Sequence, residues 1–279
     1  MTIPFGHHQL HNRYHFQGLL ELATPLRVSS GRADEVTEAP VIRYLDGTPY
    51  IPGSSLRGTL RSQLERIITA AGPVVAGLSS CTLFEDNHCA TLVEACKREQ
   101  EKSKKPQKEK DEEIMKYIEE ILCDVCRLFG SAVYASRLVI ADALPVALTE
   151  AKGKINLRDG LGIDRDTGAA RAGVKFDYQV IETGPRFWFQ MTAENVQDQD
   201  RKLIDLILAL LKDGLYVGGK RAGGLGLIRL QPDYQRPGEY FQVCGFKDPA
   251  NLWERLINGQ DLDQPLTWEE HTHATPQTV

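Results

Sequence analysis

The stretch Tyr50-Ile51-Pro52-Gly53-Ser54-Ser55-Leu56-Arg57-Gly58 turns an extended chain into a helix. Proline and glycine break the preceding run, and Ser54 or Ser55 offers a side-chain oxygen that can cap the first helical turn. Behind it Leu56, Leu60, Leu64, Ile67, Ile68 and Ala71 recur at helical spacing until Gly72-Pro73 stops the pattern. Upstream, Phe16 to Leu26 alternates in part and runs through Pro25, which predicts a strand. Downstream, Leu138-Val139-Ile140 and Arg186-Phe187-Trp188-Phe189-Gln190-Met191 predict core strands. Asp200 to Lys212 predicts a second helix, with Leu203, Ile204, Ile207, Leu208, Leu210 and Leu211 on one broad apolar face. A glycine loop and a final strand, Leu225 to Leu230, follow it.

Strand, helix, strands, helix, strand is the order of a ferredoxin-like, RRM-type α+β fold, here carrying two large insertions. Residues 97 to 120 hold eight basic and eight acidic residues, so their Lys-rich first half around Pro106 is expected to be a mobile loop. Helical spacing returns with Ile114, Tyr117, Ile118, Ile121 and Leu122. Residues 152 to 185 are the other insertion, a long, basic, turn-rich excursion with Asp166-Thr167-Gly168 at a hairpin tip. The expected division is 1–80, the first part of the core with an acidic loop; 81–130, a cysteine-rich insertion; 131–230, the rest of the core with the hairpin and the glycine-rich loop; and 231–279, an acidic C-terminal extension.

With 279 residues, 42% hydrophobic and 25% charged, the chain can build a packed core without disulfides. No apolar run of membrane-spanning length occurs, and Met1-Thr2-Ile3-Pro4-Phe5-Gly6-His7-His8 lacks the regions of a signal peptide, so the expected location is the cytoplasm, with no membrane partner. A net charge of -5 argues against a uniformly basic nucleic-acid surface, but the charge is unevenly spread. Residues 152 to 175 hold six basic against three acidic residues, and residues 245 to 279 two basic against six acidic. A basic face can therefore exist on an acidic protein.

Cys123-Asp124-Val125-Cys126 is a C-x2-C pair, the spacing at which two thiolates converge on one tetrahedral metal. Five of the six cysteines fall within residues 81 to 126. In a reducing compartment such clustering points to structural zinc, held by Cys81, Cys89, Cys123 and Cys126, with His88 or Cys96 as substitutes. Buried or free thiols are the alternative.

Three further stretches carry candidate chemistry. Ser54, Ser55, Arg57 and Arg61 surround a helix N-terminus, where backbone amides and guanidiniums can cradle an anion. In Gly218-Gly219-Lys220-Arg221-Ala222-Gly223-Gly224-Leu225-Gly226, glycines such as Gly219 and Gly223 let the main chain approach a polymer while Lys220 and Arg221 supply charge. The order is not that of an ATP-binding loop. The loop before Pro40 is acidic, with Asp34, Glu35 and Glu38.

Glu38-Ala39-Pro40-Val41-Ile42-Arg43, Ile51-Pro52-Gly53-Ser54-Ser55-Leu56-Arg57-Gly58, Arg127-Leu128-Phe129-Gly130, Gly162-Ile163-Asp164-Arg165-Asp166-Thr167-Gly168-Ala169-Ala170 and the glycine loop resemble, in order, the RAMP superfamily of CRISPR-associated proteins. Within it they are most similar to the backbone subunit of type III RNA-guided effector complexes. The resemblance implies the same ferredoxin-like fold, a thumb-like β-hairpin at 152–185 carrying Arg165 and Arg171, guide (crRNA) and target RNA as ligands, and other CRISPR effector subunits as partners. It also implies target-RNA cleavage through an aspartate two residues before the loop proline. Glu38 stands there, one methylene longer, so competent and silent outcomes both stay open, and Asp34 and Glu35 offer carboxylates from the same loop. Cleavage would proceed by attack of the ribose 2′-hydroxyl on the adjacent phosphate, with Mg2+ or Mn2+ as the divalent ion.

Two rival functions fit the same sequence. One is a guide-RNA-processing endoribonuclease of the same superfamily using a histidine base, for which His15 beside the first strand is the candidate. The other is a non-catalytic, zinc-containing assembly subunit.

Overall fold

Alternation forms the first strand, β1 (Arg13–Leu22): Tyr14, Phe16, Leu20 and Leu22 are buried, while Gln17 faces out. In the computed structural model, which describes residues 6–29, 31, 33, 37–71, 77–82, 88–233, 239–250 and 252–268, the chain is mixed α and β around an antiparallel sheet. Helix α1 (Gly53–Ala71) follows, with Leu56, Leu60, Leu64 and Ile68 buried. It begins at Gly53, so Ser54 and Ser55 lie inside its first turn and are not its cap. The cap comes from far away in sequence: the Gly53 N–H donates to Asp142 Oδ1 at 2.8 Å. A Cβ at Gly53 would stand 2.2 Å from the Ile140 carbonyl, so the close approach itself demands glycine.

The cysteine-rich insertion is helical. Helices α2 (Cys89–Lys102) and α3 (Gln107–Ile121) are joined by a short turn, and α4 (Asp124–Phe129) returns the chain to the core. The mobile loop expected in the first half of 97–120 is thus corrected to helix through Lys102. Its charges are the solvent side of an amphipathic helix whose buried side, Cys89, Ala90 and Val93, lies just upstream.

Strand β2 (Leu138–Ile140), helix α5 (Leu148–Gly153), and the hairpin of β3 (Ile155–Ile163) and β4 (Ala170–Ile181) come next. Then follow β5 (Arg186–Glu194), α6 (Asp198–Asp213), β6 (Leu215–Tyr216) and β7 (Leu227–Gln231). The strand order is β2-β5-β1-β7-β6. Helix α6 buries Leu203, Ile204, Ile207, Leu208 and Leu211 in a hydrophobic core that Phe16, Phe187, Phe189 and Met191 share, each such side chain contributing about 1.5–3 kcal/mol. Fully buried Arg137 reaches Asp200 Oδ2 at 3.0 Å, and the same oxygen accepts the Gln197 N–H at 2.9 Å, closing the start of α6.

The expected last strand is not the last. Strand β8 (Phe241–Phe246) pairs with β1 over Arg13–Gly18, helix α7 (Leu252–Ile257) follows, and β9 (Gln264–Pro265) pairs with β8. Trp268 then packs edge-on against Tyr14 and Phe16, with ring centroids 5.2 and 4.9 Å away, and donates its indole N–H to Asp205 at 2.7 Å. Among the described residues no helix is long and apolar enough to cross a membrane.

Candidate metal centre and nucleic-acid interface

Cys81 comes from the 77–82 segment, Cys89 opens α2, Cys123 precedes α4 and Cys126 lies in its first turn. Asp124 clamps the first of these to the last: its Oδ2 accepts both the Ser79 N–H and the Ser79 hydroxyl at 2.7 Å. The four sulfurs all lie within 4.8 Å of one another, with Cys81 and Cys126 3.5 Å apart. Cys89 Sγ accepts the Cys123 N–H at 3.3 Å, and Cys123 Sγ accepts the Cys126 N–H at 3.4 Å. Neighbouring thiols at Cys123 and Cys126 pull the Cys89 thiol down to about 4, while the same sharing pushes Cys126 up. The Cys89 thiolate is therefore favoured while Cys123 and Cys126 are held as thiols, and a divalent cation such as zinc would take the place of those shared protons. The donor set fits tetrahedral zinc. His88 and Cys96 stand outside the four-sulfur group, His88 buried with Nε2 lacking a hydrogen bond.

Arg57 and Arg61 face the turn that follows α4. Arg57 donates to the Phe129 carbonyl, and its guanidinium lies 5.8 Å from the centroid of the Phe129 ring. Burial first, and the Arg61 charge second, lower the Arg57 pKa, so an anion beside it would relieve an unfavourable position. Arg61 is more fully engaged, donating to Glu65 at 2.7 Å, the Gly130 carbonyl at 2.8 Å and Cys126 Sγ at 3.4 Å. Burial would lower its pKa, but Glu65 and Cys126 outweigh that and raise it. Arg57, Arg61, His88, Tyr134 and Ser136 line a cleft of about 380 Å³.

The hairpin organises the second surface. At its tip Asp164 Oδ1 accepts the Asp166 and Thr167 N–H groups at 3.0 and 3.1 Å, presenting Arg165 to solvent; Arg171 is also exposed. Along β4 the two-residue period sends Phe176 and Tyr178 to one face and Asp177 and Gln179 to the other. Lys220 sits over the aromatic face, its Nζ 4.0 Å from the Phe176 centroid and 4.2 Å from that of Tyr178, and Arg27 lies 5.5 Å from Tyr178. Burial and the Arg27 charge lower the Lys220 pKa. The glycine loop reaches this place because Gly218 and Gly226, both at positive φ, pack where a Cβ would lie 2.2 Å from the Arg27 carbonyl and 2.0 Å from that of Val217. The Gly219 N–H donates to the Arg27 carbonyl at 2.8 Å, and Arg221 and Gly223 are exposed in the short turn beyond.

The opposite face of β4 holds residues 37–39, the end of the acidic loop. Asp177 Oδ1 accepts the Thr37 hydroxyl at 2.7 Å and the Glu38 N–H at 2.9 Å, while Gln179 donates its N–H to the Ala39 carbonyl at 3.0 Å. The Thr37 hydroxyl first, then the Glu38 N–H, hold the Asp177 carboxyl below its usual range. Glu38 is exposed; Asp34 and Glu35 lie outside the described residues. His15 is no free base: Nδ1 pairs with the Thr192 hydroxyl at 2.7 Å and Nε2 with Asp263 at 3.0 Å. Sequence reasoning missed Arg27, Phe176, Tyr178 and Asp177. The alternation of Phe176-Asp177-Tyr178-Gln179 was readable, but not what each face would meet.

The family model described as the RAMP superfamily matches residues 19–229. Among curated proteins, the CRISPR system Cms endoribonuclease Csm3 of Methanocaldococcus jannaschii is 24% identical over 242 residues, covering 81% of this chain and 82% of the relative.

Proposed function

We propose, starting from the fact that this chain belongs to the RAMP superfamily, that it is a guide-RNA-binding backbone subunit of a type III CRISPR interference complex. The observation that carries the proposal is the division of labour on β4, with cations stacked over Phe176 and Tyr178 on one face and the acidic loop tied to Asp177 on the other. One hairpin thereby joins a backbone-binding surface to a carboxylate loop. The order β2-β5-β1-β7 with α1 and α6 supports a ferredoxin-like core, into which 81–130 is inserted as a metal-held unit and 152–185 as a thumb.

In this reading Arg57, the helix start at Ser54 and Ser55, Lys220, Arg221 and the main chain at Gly219 and Gly223 hold phosphates of the guide. Arg165 and Arg171 on the hairpin separate guide from target, and sequence is read by base pairing. Zinc bound by Cys81, Cys89, Cys123 and Cys126 has four protein ligands and no open position, so it would hold the insertion in place and activate no water. At the acidic loop a carboxylate takes the 2′-hydroxyl proton and the 2′-oxygen bonds to phosphorus as the P–O5′ bond breaks; the 5′-oxygen takes a proton from water, leaving a 2′,3′-cyclic phosphate and a 5′-hydroxyl.

Purification from the host tests the assignment: small RNA of uniform length and larger partner proteins should co-elute. A chain that elutes alone and free of RNA would overturn it. Mapping products from complexes carrying wild-type, Glu38→Ala and Glu38→Asp chains, with Mg2+ or Mn2+ present, tests cleavage. Loss of one cut in the Ala variant with target binding kept assigns Glu38, a cut gained only in the Asp variant shows that the extra methylene misplaces it, and equal cutting by all three removes Glu38 from the chemistry. The engagement of both His15 nitrogens weighs against the histidine-based processing enzyme.

A further inference from the structure

We propose that Arg61 is the outer-sphere partner of the metal centre, holding the Cys126 sulfur and tying it to the Gly130 turn, and is not a phosphate-binding residue. This rests on the zinc reading above. Three sulfurs of the cluster are buried, and each has a donor. Cys89 takes the Cys123 N–H and Cys123 the Cys126 N–H, both from the turn that opens α4, whereas Cys126 takes the Arg61 guanidinium. Arg61 thus completes a set that the main chain supplies for the other two.

The geometry uses the whole planar fork. Nε faces Glu65, Nη1 the Gly130 carbonyl and Nη2 the sulfur, with the Arg61 side chain only 17% exposed. Swinging out to a phosphate would strip all three acceptors at once. A zinc ion with four thiolates carries a net double negative charge, and a cation donating to one sulfur both offsets that charge and disfavours protonation of the ligand. The link also has a structural consequence. Gly130 holds a φ of +78°, and a Cβ there would meet the Ser136 N at 2.7 Å, so only glycine lets the turn come this close, and Arg61 links its carbonyl to the Cys126 sulfur. Loss of the metal would therefore loosen the wall of the cleft in which Arg57 sits.

Wild type, Arg61→Lys and Arg61→Met are purified with zinc, their folding is compared by circular dichroism, and zinc retention is titrated against a colorimetric chelator. An outer-sphere ligand partner is worth about 10–100-fold in metal affinity, so Arg61→Met should release zinc at correspondingly lower chelator, with Arg61→Lys between. Cobalt substituted for zinc should show a shifted thiolate charge-transfer band in Arg61→Met, since the sulfur loses a hydrogen bond. Binding of single-stranded RNA should keep the wild-type salt slope in Arg61→Lys, and in Arg61→Met once zinc is saturating. Unchanged retention and an unchanged band, or a slope reduced by about 0.7 as for one lost phosphate contact, would overturn the inference. Should Arg61→Met not fold, Glu65→Gln, which loosens the same guanidinium, replaces it under the zinc-retention and cobalt-band criteria. A wild-type protein without zinc would sink the metal reading itself, whereas zinc in wild type with equal retention in the variants would sink this inference alone.

Discussion

Removing Arg57, Lys220 and Arg221 together should flatten the salt dependence of RNA binding by a calculable amount. Arg57 lines the cleft beside α1, Lys220 stands over the Phe176 and Tyr178 rings, and Arg221 is exposed in the glycine loop. For single-stranded nucleic acid each neutralised phosphate contributes about -0.7 to the slope of log K against log salt, so the triple alanine variant should lose about 2 from the slope. Between 50 and 200 mM salt each contact changes affinity about 2.6-fold, and the three together about 18-fold. The variant should therefore bind much more weakly than wild type at low salt and approach it as salt rises. Fluorescence anisotropy with a guide-length RNA, read across that range, measures the slope directly. Phe176→Ala is the internal contrast: it takes away the platform under Lys220 but no charge, so it should weaken binding at all salt concentrations with little change in slope. A folded triple variant with the wild-type slope would refute the placement of the guide backbone on this surface and favour a purely structural subunit.

Three other outcomes are expected. Asp200→Ala strands the Arg137 charge, 0% exposed, without its partner and should cost about 3–5 kcal/mol in a denaturant midpoint, whereas Asp200→Asn, which keeps an acceptor for the Gln197 N–H, should cost less. Because the fold depresses the Asp177 carboxyl, docking of the Thr37–Ala39 loop contributes fully above the ordinary aspartate range and is lost as pH falls through the folded value; the protection factor of the Glu38 amide, its exchange rate divided into the intrinsic rate at each pH, should fall on acidification and be independent of pH in Asp177→Asn. If zinc holds the four cysteines as proposed, chelation, or acid that protonates the thiolates, should raise proteolysis within residues 97–120 before the main sheet opens, because structural zinc contributes about 10–16 kcal/mol of apparent binding energy to the segment that carries it.

Local periodicity made much of the scaffold readable. Leu56, Leu60, Leu64 and Ile68 announce α1, the Leu203 to Leu211 stripe announces α6, and the glycine and aspartate tip announces the hairpin, because each is set by neighbours within a few residues. The C-x2-C spacing likewise pointed to the four cysteines that the fold brings within 4.8 Å. Charge content misled where amphipathicity decided: residues 97–102 continue a helix whose apolar side starts at Cys89. Long-range partners lay beyond any sequence pattern. Asp142 caps α1, β8 joins β1 across the chain, Asp177 captures Glu38, and Arg61 turns inward to Cys126 and Gly130. An arginine one helical turn from another reads as a basic face by spacing alone. Whether its fork meets a phosphate or a buried sulfur depends on which groups packing delivers to within about 3 Å, and that is decided only when distant segments close on one another.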